Sequence, residues 1–217
     1  MRSLLSAFLL ALCAGSALGQ PPQQLASDGE ALVLVARPEL RDPEYRQTVV
    51  LVTPMSGGRH IGVIINRPTS RSLASLFPEH EPSKKVIDPV YFGGPFGKTA
   101  IFAVVRAKSD PGGGAIAFMK DLYFCARVDQ VDHIIETTPN DARYFVGYVG
   151  WRPGELRQEL DRGLWYAMDA DQDLVFRRDP QYLWEELVRR ARQLTTQAPS
   201  TLVAPLQLAA ALTGRWA

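Results

Sequence analysis

The sequence predicts an α+β fold built on a largely antiparallel sheet. About nine segments rich in β-branched and aromatic residues have the length of strands, whereas about four segments have helical periodicity. Short turns containing glycine, proline or aspartate join many of the strand segments, which is typical of hairpins. Hairpins favour antiparallel pairing, because parallel neighbours need long crossover connections.

The first third of the chain supplies three predicted strands. Leu32–Ala36 is apolar at every position, which predicts a central strand buried on both faces. Thr48–Thr53 and His60–Asn66 are rich in β-branched residues. The Ser56–Gly58 turn between them predicts a hairpin. Ser72–Phe77 is predicted as one helical turn with its serine as the N-cap.

The middle of the chain continues the sheet. Pro89–Gly94 and Thr99–Arg106 are predicted strands, and Ala115–Val128 contains two short strands around a Lys120-Asp121 turn. Asp129–Thr137 has apolar residues on one helical face and is predicted as a short helix.

A strand that leads into a helix begins the last part of the chain. Arg143–Val149 is the predicted strand, and Glu155–Asp161 is the helix, with Gly163 as its C-terminal stop. Trp165–Met168 and Leu174–Phe176 predict a further hairpin. The last helix starts at Asp179-Pro180, where a capping residue precedes proline in the first helical position.

The first twenty residues have the features of a secretory signal peptide. Arg2 precedes the apolar run 4–12, which is too short to span a bilayer, and small residues follow at Ala17 and Gly19. We predict cleavage after Gly19 and a periplasmic or secreted mature chain without a transmembrane segment; a buried N-terminal helix is the alternative. Residues 20–27 are then a disordered lead, 28–194 the folded domain and 195–217 a C-terminal tail.

Charge and cysteine content exclude several classes of protein. The net charge of +1 provides no strong field for nucleic acid or a membrane surface. Cys13 would leave with the signal peptide, so Cys125 could form no intramolecular disulfide. Its strand-like surroundings predict a buried thiol, and a reactive or intermolecular thiol is the alternative.

Several short motifs occur in order along the chain. They are Leu34–Ala36, Asp42-Pro43, Gly62–Pro68, Gly93–Pro95 and Gly150–Leu156, together with Trp165 and Trp184. Over residues 28–192 this arrangement resembles the YqgE/AlgH family. The resemblance implies a bifurcated sheet folded into a pseudo-barrel with about four peripheral helices. It implies no established enzyme activity, and only a loose association with transcriptional regulation, without a DNA-binding motif.

Two features depart from the family pattern. Members of the family are usually cytoplasmic, whereas this sequence begins with a predicted signal peptide. Glu155-Leu156-Arg157 stands where the family tends to have Gln-Leu-Glu.

Two segments look like ligand-binding motifs but lack essential parts. In Gly93–Thr99 only three residues separate the glycines of a P-loop pattern that needs four, and a strand follows where a helix is required. Asp169–Asp173 resembles the start of an EF-hand loop, but Leu174 replaces its glycine and Pro180 its final glutamate. We interpret both as turns.

Other chemistries find little support in the sequence. His60, His80 and His133 have no metal-ligand spacing, and no Gly-x-Ser-x-Gly elbow is present. A Cys125–His133 pair would require both side chains to face one cleft. The basic residues of the last helix are spaced to pair with acidic ones, so direct nucleic-acid binding is not expected.

A small-ligand or partner site is the remaining hypothesis. Asn66, Arg67, Gly93 and Gly94 end predicted strands, and Trp151 lies on a turn; loops at strand ends are where scaffolds place binding groups. Arg67 could pair with an anion and Trp151 could stack on a ligand. Alternatively, Asn66 and Arg67 hold a loop in place through hydrogen bonds, and Trp151 packs in the core.

The sequence therefore predicts a non-catalytic, exported ligand-binding or protein-interaction module without a cofactor. An uncharacterised hydrolase or metal-dependent enzyme is the first alternative, and clustered carboxylates with shifted pKa values in a deep cleft would favour it. The second alternative is a cytoplasmic regulator of transcription that acts through other proteins.

Overall fold

The computed structural model describes residues 31–197. The predicted signal peptide and lead, and the predicted tail from residue 198 onward, lie outside the described residues. Within this range the strands are β1 (Leu32–Ala36), β2 (Val49–Met55), β3 (Arg59–Ile64), β4 (Pro68–Ser72), β5 (Pro89–Phe92), β6 (Phe96–Arg106), β7 (Ile116–Met119), β8 (Leu122–Cys125), β9 (Ala142–Trp151) and β10 (Trp165–Asp169). The α-helices are α1 (Leu73–Leu76), α2 (Val128–Thr137), α3 (Glu155–Asp161), α4 (Gln172–Val175) and α5 (Leu183–Gln197).

All ten strands belong to one sheet, which divides at β9. Its main path runs β10-β1-β2-β3-β9-β6-β8-β7, with every neighbouring pair antiparallel. The edge of β9 opposite β6 pairs with β5 in parallel at Phe145 and Val146, and with β3 in antiparallel fashion at Val149–Trp151. The predicted α+β class and the bifurcated, largely antiparallel sheet are therefore confirmed.

The sheet is not closed into a barrel. Among the described residues, the terminal strands β10 and β7 are not paired with each other. The β7 end nevertheless curves toward β2, where Thr53 Oγ1 donates to the Ala117 carbonyl at 3.2 Å. The contact is a single side-chain hydrogen bond rather than a ladder of strand pairs.

Side chains of β1 enter the core on both sides of the sheet, as predicted. Val33 and Val35 pack in the cluster that includes Leu187 of α5, whereas Leu34 packs with Trp151 and the other side of the sheet. A third cluster lies between α2 and the β6–β8 region. Complete burial of β1 explains why its sequence is a continuous apolar run rather than an alternating pattern.

Several predicted elements are confirmed. Ser56–Gly58 links β2 to β3 as a 3-10 turn, and Gly57 has a φ of 74°. Ser72 caps α1 through its hydroxyl, which accepts from the Ser75 N–H at 3.1 Å. The predicted helix over Glu155–Asp161 is present with those bounds. No helix within residues 31–197 is long and apolar enough to cross a membrane.

The predicted hairpin between Trp165–Met168 and Leu174–Phe176 is wrong. The first segment forms β10 and pairs with β1, but Gln172–Val175 forms the short helix α4. Asp171 caps this helix, because its carboxylate accepts from the Asp173 N–H at 2.9 Å. The aspartates that suggest a hairpin tip therefore start a helix instead.

A buried arginine holds the segment after α4 against the sheet. Arg143 of β9 is 1% exposed, and its guanidinium donates to the carbonyls of Val175 and Arg177. The same group donates to Asp88 at 2.9 Å and lies 4.3 Å above the ring of Tyr91. These contacts are long-range, so no local pattern in residues 170–178 predicts them.

β3 ends at Ile64, just before Asn66 and Arg67, and a separate short strand, β4, begins at Pro68. This strand pairs only with β5 within the described chain and is mostly exposed. Proline is tolerated at the start of such an edge strand, where its missing N–H breaks no ladder.

Candidate functional site

Trp151 lies in the core and not at an open turn. Its side chain is 5% exposed and packs in the cluster that contains Val149, Leu156 and Trp165. Its indole N–H donates to Glu159 Oε2 at 2.9 Å. These contacts match the structural alternative considered for this residue.

A single carboxylate oxygen joins two buried indoles. Glu159 Oε2 also accepts from the indole N–H of Trp165 at 2.8 Å. The ring of Tyr45 meets Trp165 edge to face, with the centroids 6.1 Å apart. Burial, followed by nearby carboxylates including Glu44 and Glu159, raises the pKa of Tyr45 to about 12. Sequence patterns gave no indication of this shared acceptor.

Gly93 and Gly94 lie where the sheet divides. The Gly93 carbonyl accepts from the Ile64 N–H at 2.9 Å, and its N–H donates to the Val146 carbonyl at 2.8 Å. Gly93 therefore links the end of β3 to β9. A Cβ at either glycine would overlap the backbone of Gly147 or Tyr148. Both positions need glycine because two backbone segments approach closely there.

Asn66 and Arg67 hold the connection between β1 and β2. The Asn66 amide accepts from the Val49 N–H at 2.8 Å and donates to the Gln47 carbonyl at 2.9 Å. The Arg67 guanidinium donates to the carbonyls of Glu44 and Arg46 at 2.6 and 2.8 Å. These bonds fix the backbone of residues 44–49, including Gln47, whose φ is 57°.

Asn66 and Arg67 also line the larger of two neighbouring hollows, which share lining residues and are together called the cleft, with a large and a small lobe. The large lobe has a volume of about 640 Å³, and the small lobe has a volume of about 160 Å³. The residues common to both lobes are Arg46, Gln47 and Trp184. The large lobe adds, among others, Asn66, Arg67, Thr69, Phe92, Gln181 and Glu185. The small lobe adds Arg37, Pro38, Leu40 and Arg41.

Trp184 is held in place between the two lobes. Its indole N–H donates to the Ala36 carbonyl at 2.7 Å, which joins the first turn of α5 to the end of β1. The side chain is half-buried, so part of the ring faces the cleft. Trp184, rather than Trp151, is therefore the tryptophan available to a ligand beside Arg67.

The cleft is rich in arginine. Arg46 and Arg41 make no side-chain hydrogen bond or ion pair with any described residue, and Arg37 has a buried Nε without a partner there. The guanidinium of Arg37 lies 4.3 Å above the ring of Tyr166. Burial, and then the nearby Arg46 charge, lower the pKa of Arg67. Lys98 engages the Glu44 carboxylate at 3.0 Å on the same side of the molecule.

The predicted site residues fall into three groups. Asn66 and Arg67 line the cleft, Gly93 and Gly94 follow its wall residue Phe92, and Trp151 lies elsewhere. Trp151 pairs with His60 at the far end of β3, away from the cleft. The sequence contains a feature that could have indicated the cleft, because three arginines, Arg37, Arg41 and Arg46, occur within ten residues between two predicted strands.

The candidate metal ligands and the Cys125–His133 pair are not brought together within residues 31–197. No group of three or more His, Cys, Asp or Glu residues between 31 and 197 could hold a metal ion. Cys125 is buried while His133 is exposed, so they do not form a pair facing one cleft. Burial, with a smaller effect of Asp110, raises the pKa of the Cys125 thiol to about 11. The predicted buried thiol is confirmed.

Comparisons with known proteins agree on one family. A family model described as AlgH-like matches residues 33–195. A UPF0301 protein of Thermobifida fusca is 32% identical over 171 residues, which cover 73% of this chain and 84% of that protein. A UPF0301 protein of Chlorobium limicola is 28% identical over 160 residues, covering 72% and 83%.

Two solved structures share the fold. The AlgH protein from Pseudomonas aeruginosa aligns with a TM-score of 0.61 and 22% identity, covering 82% of this chain and 98% of that one. Protein DIP2367 from Corynebacterium diphtheriae aligns with a TM-score of 0.58 and 23% identity, covering 75% and 86%.

Proposed function

The chain belongs to the AlgH-like family, and from this premise we propose that it is an exported, non-catalytic protein whose cleft binds a small anionic ligand. The names of the relatives described above specify no reaction, so the proposal depends on the chemistry of the cleft. Volumes of this size are typical of small-molecule sites.

The observation that carries the proposal is the position of Arg46. It lines both lobes beside Arg67, and its guanidinium has no hydrogen-bonding or ion-pair partner between residues 31 and 197. Like charges repel, and after burial the Arg46 charge is the next factor that lowers the pKa of Arg67. Lys98 already engages the nearby Glu44 carboxylate. An anionic ligand would offset this repulsion and accept hydrogen bonds from the free guanidinium.

The positions of the carboxylates support a binding role over the hydrolase alternative. Asp129 and Glu186 have lowered pKa values, because each accepts a hydrogen bond from an arginine at the protein surface. Neither lines the cleft, whose acidic lining residue is Glu185. A general acid or base would need a carboxylate tuned toward neutral pH within reach of the substrate.

Anion binding can be measured as thermal stabilisation by inorganic phosphate. A ligand that binds only the native state raises the free energy of unfolding by about 2.7 kcal/mol at one hundred times its Kd. We expect phosphate to raise the melting temperature of the protein, and high ionic strength to weaken the effect. The Arg46→Gln variant should retain its fold, since its side chain has no described partner, and should lose the stabilisation.

Arg152→Gln is the matched control. Arg152 is exposed and makes no described side-chain hydrogen bond or ion pair. It follows Trp151, which pairs with His60 at the end of β3 away from the cleft. The control should respond to phosphate like the unmodified protein. Equal losses in both variants, or no phosphate effect on the unmodified protein, would show that the cleft is not an anion site.

The export part of the proposal is supported by the N-terminal sequence pattern. We expect the protein recovered from a periplasmic or secreted fraction to begin at Gln20. N-terminal sequencing of fractionated cells provides the measurement. Recovery of an uncut Met1 form from the cytosol would contradict export and would favour the regulator alternative.

A further inference from the structure

We propose that the anionic ligand of the cleft is a mononucleotide, with its phosphate in the small lobe and its base in the large lobe. This inference depends on the proposed function and specifies the ligand class of the same site. It follows from the unequal contents of the two lobes.

The small lobe has the chemistry of a phosphate site. Arg37 and Arg41 line the small lobe and not the large one, whereas Arg46 lines both lobes. The Nε of Arg37 is buried without a partner among the described residues, while its guanidinium is positioned over the Tyr166 ring. An arginine fork presents several N–H donors in one plane, which suits phosphate oxygens. A volume of about 160 Å³ admits a phosphate group but not an attached ring system as well.

The large lobe combines aromatic walls with free polar groups. Phe92 and Trp184 line it, and aromatic side chains are common stacking partners for bases. The side chains of Gln47 and Gln181 make no described hydrogen bonds, and Glu185 has no described ion pair. Amides can both donate to and accept from ring nitrogens and carbonyls, whereas a carboxylate accepts from an exocyclic amino group.

The two lobes meet at Trp184, which sets the required shape of the ligand. Because Trp184 and Arg46 line both lobes, the lobes lie side by side, and a ligand that fills both would extend from the arginines to the aromatic wall. A free inorganic anion would use only the first set of contacts, and a neutral nucleoside only the second. A nucleoside monophosphate uses both, so its two halves should bind far more weakly than the whole.

Isothermal titration calorimetry with AMP, adenosine and inorganic phosphate tests this inference. We expect AMP to bind at least tenfold more tightly than either half. Trp184→Leu should weaken AMP binding, because it removes the aromatic wall of the large lobe. Because Trp184 also packs in the core and bonds to Ala36, Glu185→Gln on the exposed rim is the second variant. It should reduce the preference for AMP over IMP, which lacks the exocyclic amino group.

The outcomes separate this inference from the proposed function. If phosphate binds and AMP binds no more tightly, the anion site stands and the mononucleotide inference is wrong. If neither binds, both are wrong. If AMP binds tightly but Glu185→Gln and Trp184→Leu leave every affinity unchanged, the nucleotide occupies another site, and the assignment of the base to the large lobe fails.

Discussion

At the residue scale, Glu159 organises the aromatic part of the core. One of its oxygens accepts from both Trp151 and Trp165, so the carboxylate satisfies two buried indole N–H groups at once. A buried indole without an acceptor costs free energy, because it gives up hydrogen bonds to water. Since α3 carries Glu159 and β9 and β10 carry the tryptophans, this one residue also fixes the helix against two strands.

The burial of Trp151 leads to a stability prediction. Trp151→Ala should lower the free energy of unfolding by about 3–5 kcal/mol, because it removes a fully packed ring and leaves a cavity. Urea unfolding followed by circular dichroism is the measurement, and Trp151→Phe is the control expected to lose less. An alanine variant as stable as the parent that no longer binds ligand would instead place Trp151 in a site.

At the scale of elements, β9 determines how the sheet divides. One edge of β9 bonds to β6, whereas its other edge accommodates β5 and then β3. Gly93 bridges the two branches and passes close to the carbonyl of Gly147, and its neighbour Gly94 passes close to the carbonyl of Tyr148. Glycine is needed here because any side chain would separate strands that must be in backbone contact.

A pair of alanine substitutions tests this close approach. At Gly93 a Cβ would overlap the Gly147 carbonyl, whereas at Gly150 its nearest neighbour would be a Tyr148 ring carbon at 3.5 Å. Neither glycine has a positive φ, so the comparison reports steric overlap alone. Gly93→Ala should lower the melting temperature far more than Gly150→Ala. Equal effects would mean that the two branches separate easily at the fork.

At the scale of the whole molecule, the burial of one cysteine and two tyrosine side chains makes the free energy of unfolding depend on pH in the alkaline range. Burial is the main factor that raises the pKa of Cys125 to about 11 and that of Tyr45 to about 12, and it raises the pKa of Tyr144 still further. In the unfolded chain these groups titrate near their ordinary values. Above about pH 9 the native state therefore binds more protons than the unfolded state.

Stability should consequently be fully present below about pH 9 and decrease as the pH rises toward 12. Urea midpoints measured between pH 7 and pH 11 provide the test. Cys125→Ala removes one of these protons, so its stability should decline less steeply between pH 9 and pH 11 than that of the unmodified protein. A midpoint that stays constant or rises over this range would contradict the prediction.

Local sequence patterns predicted most elements because short-range forces decide them. The continuous apolar run of β1, the glycine turn before β3 and the helix α3 ahead of Gly163 were each predicted from a few neighbouring residues. The same reasoning failed at residues 171–175, where an aspartate cap started a helix in place of a hairpin tip. Part of the cleft was also predicted, since Asn66 and Arg67 line it.

The sequence by itself indicated the family, through motifs spaced along residues 28–192, and it determined the α+β class and most strand positions, because these depend on local residue patterns. Tertiary structure decided which tryptophan ring lines the cleft together with Arg67. Trp184 reaches the cleft through a bond to Ala36 across 148 residues, while Trp151 is buried beside Glu159. The sequence around each tryptophan is typical of a residue packed in the core. Only the three-dimensional path of α5 places Trp184 beside Arg41 and Arg46, which have no described side-chain partner.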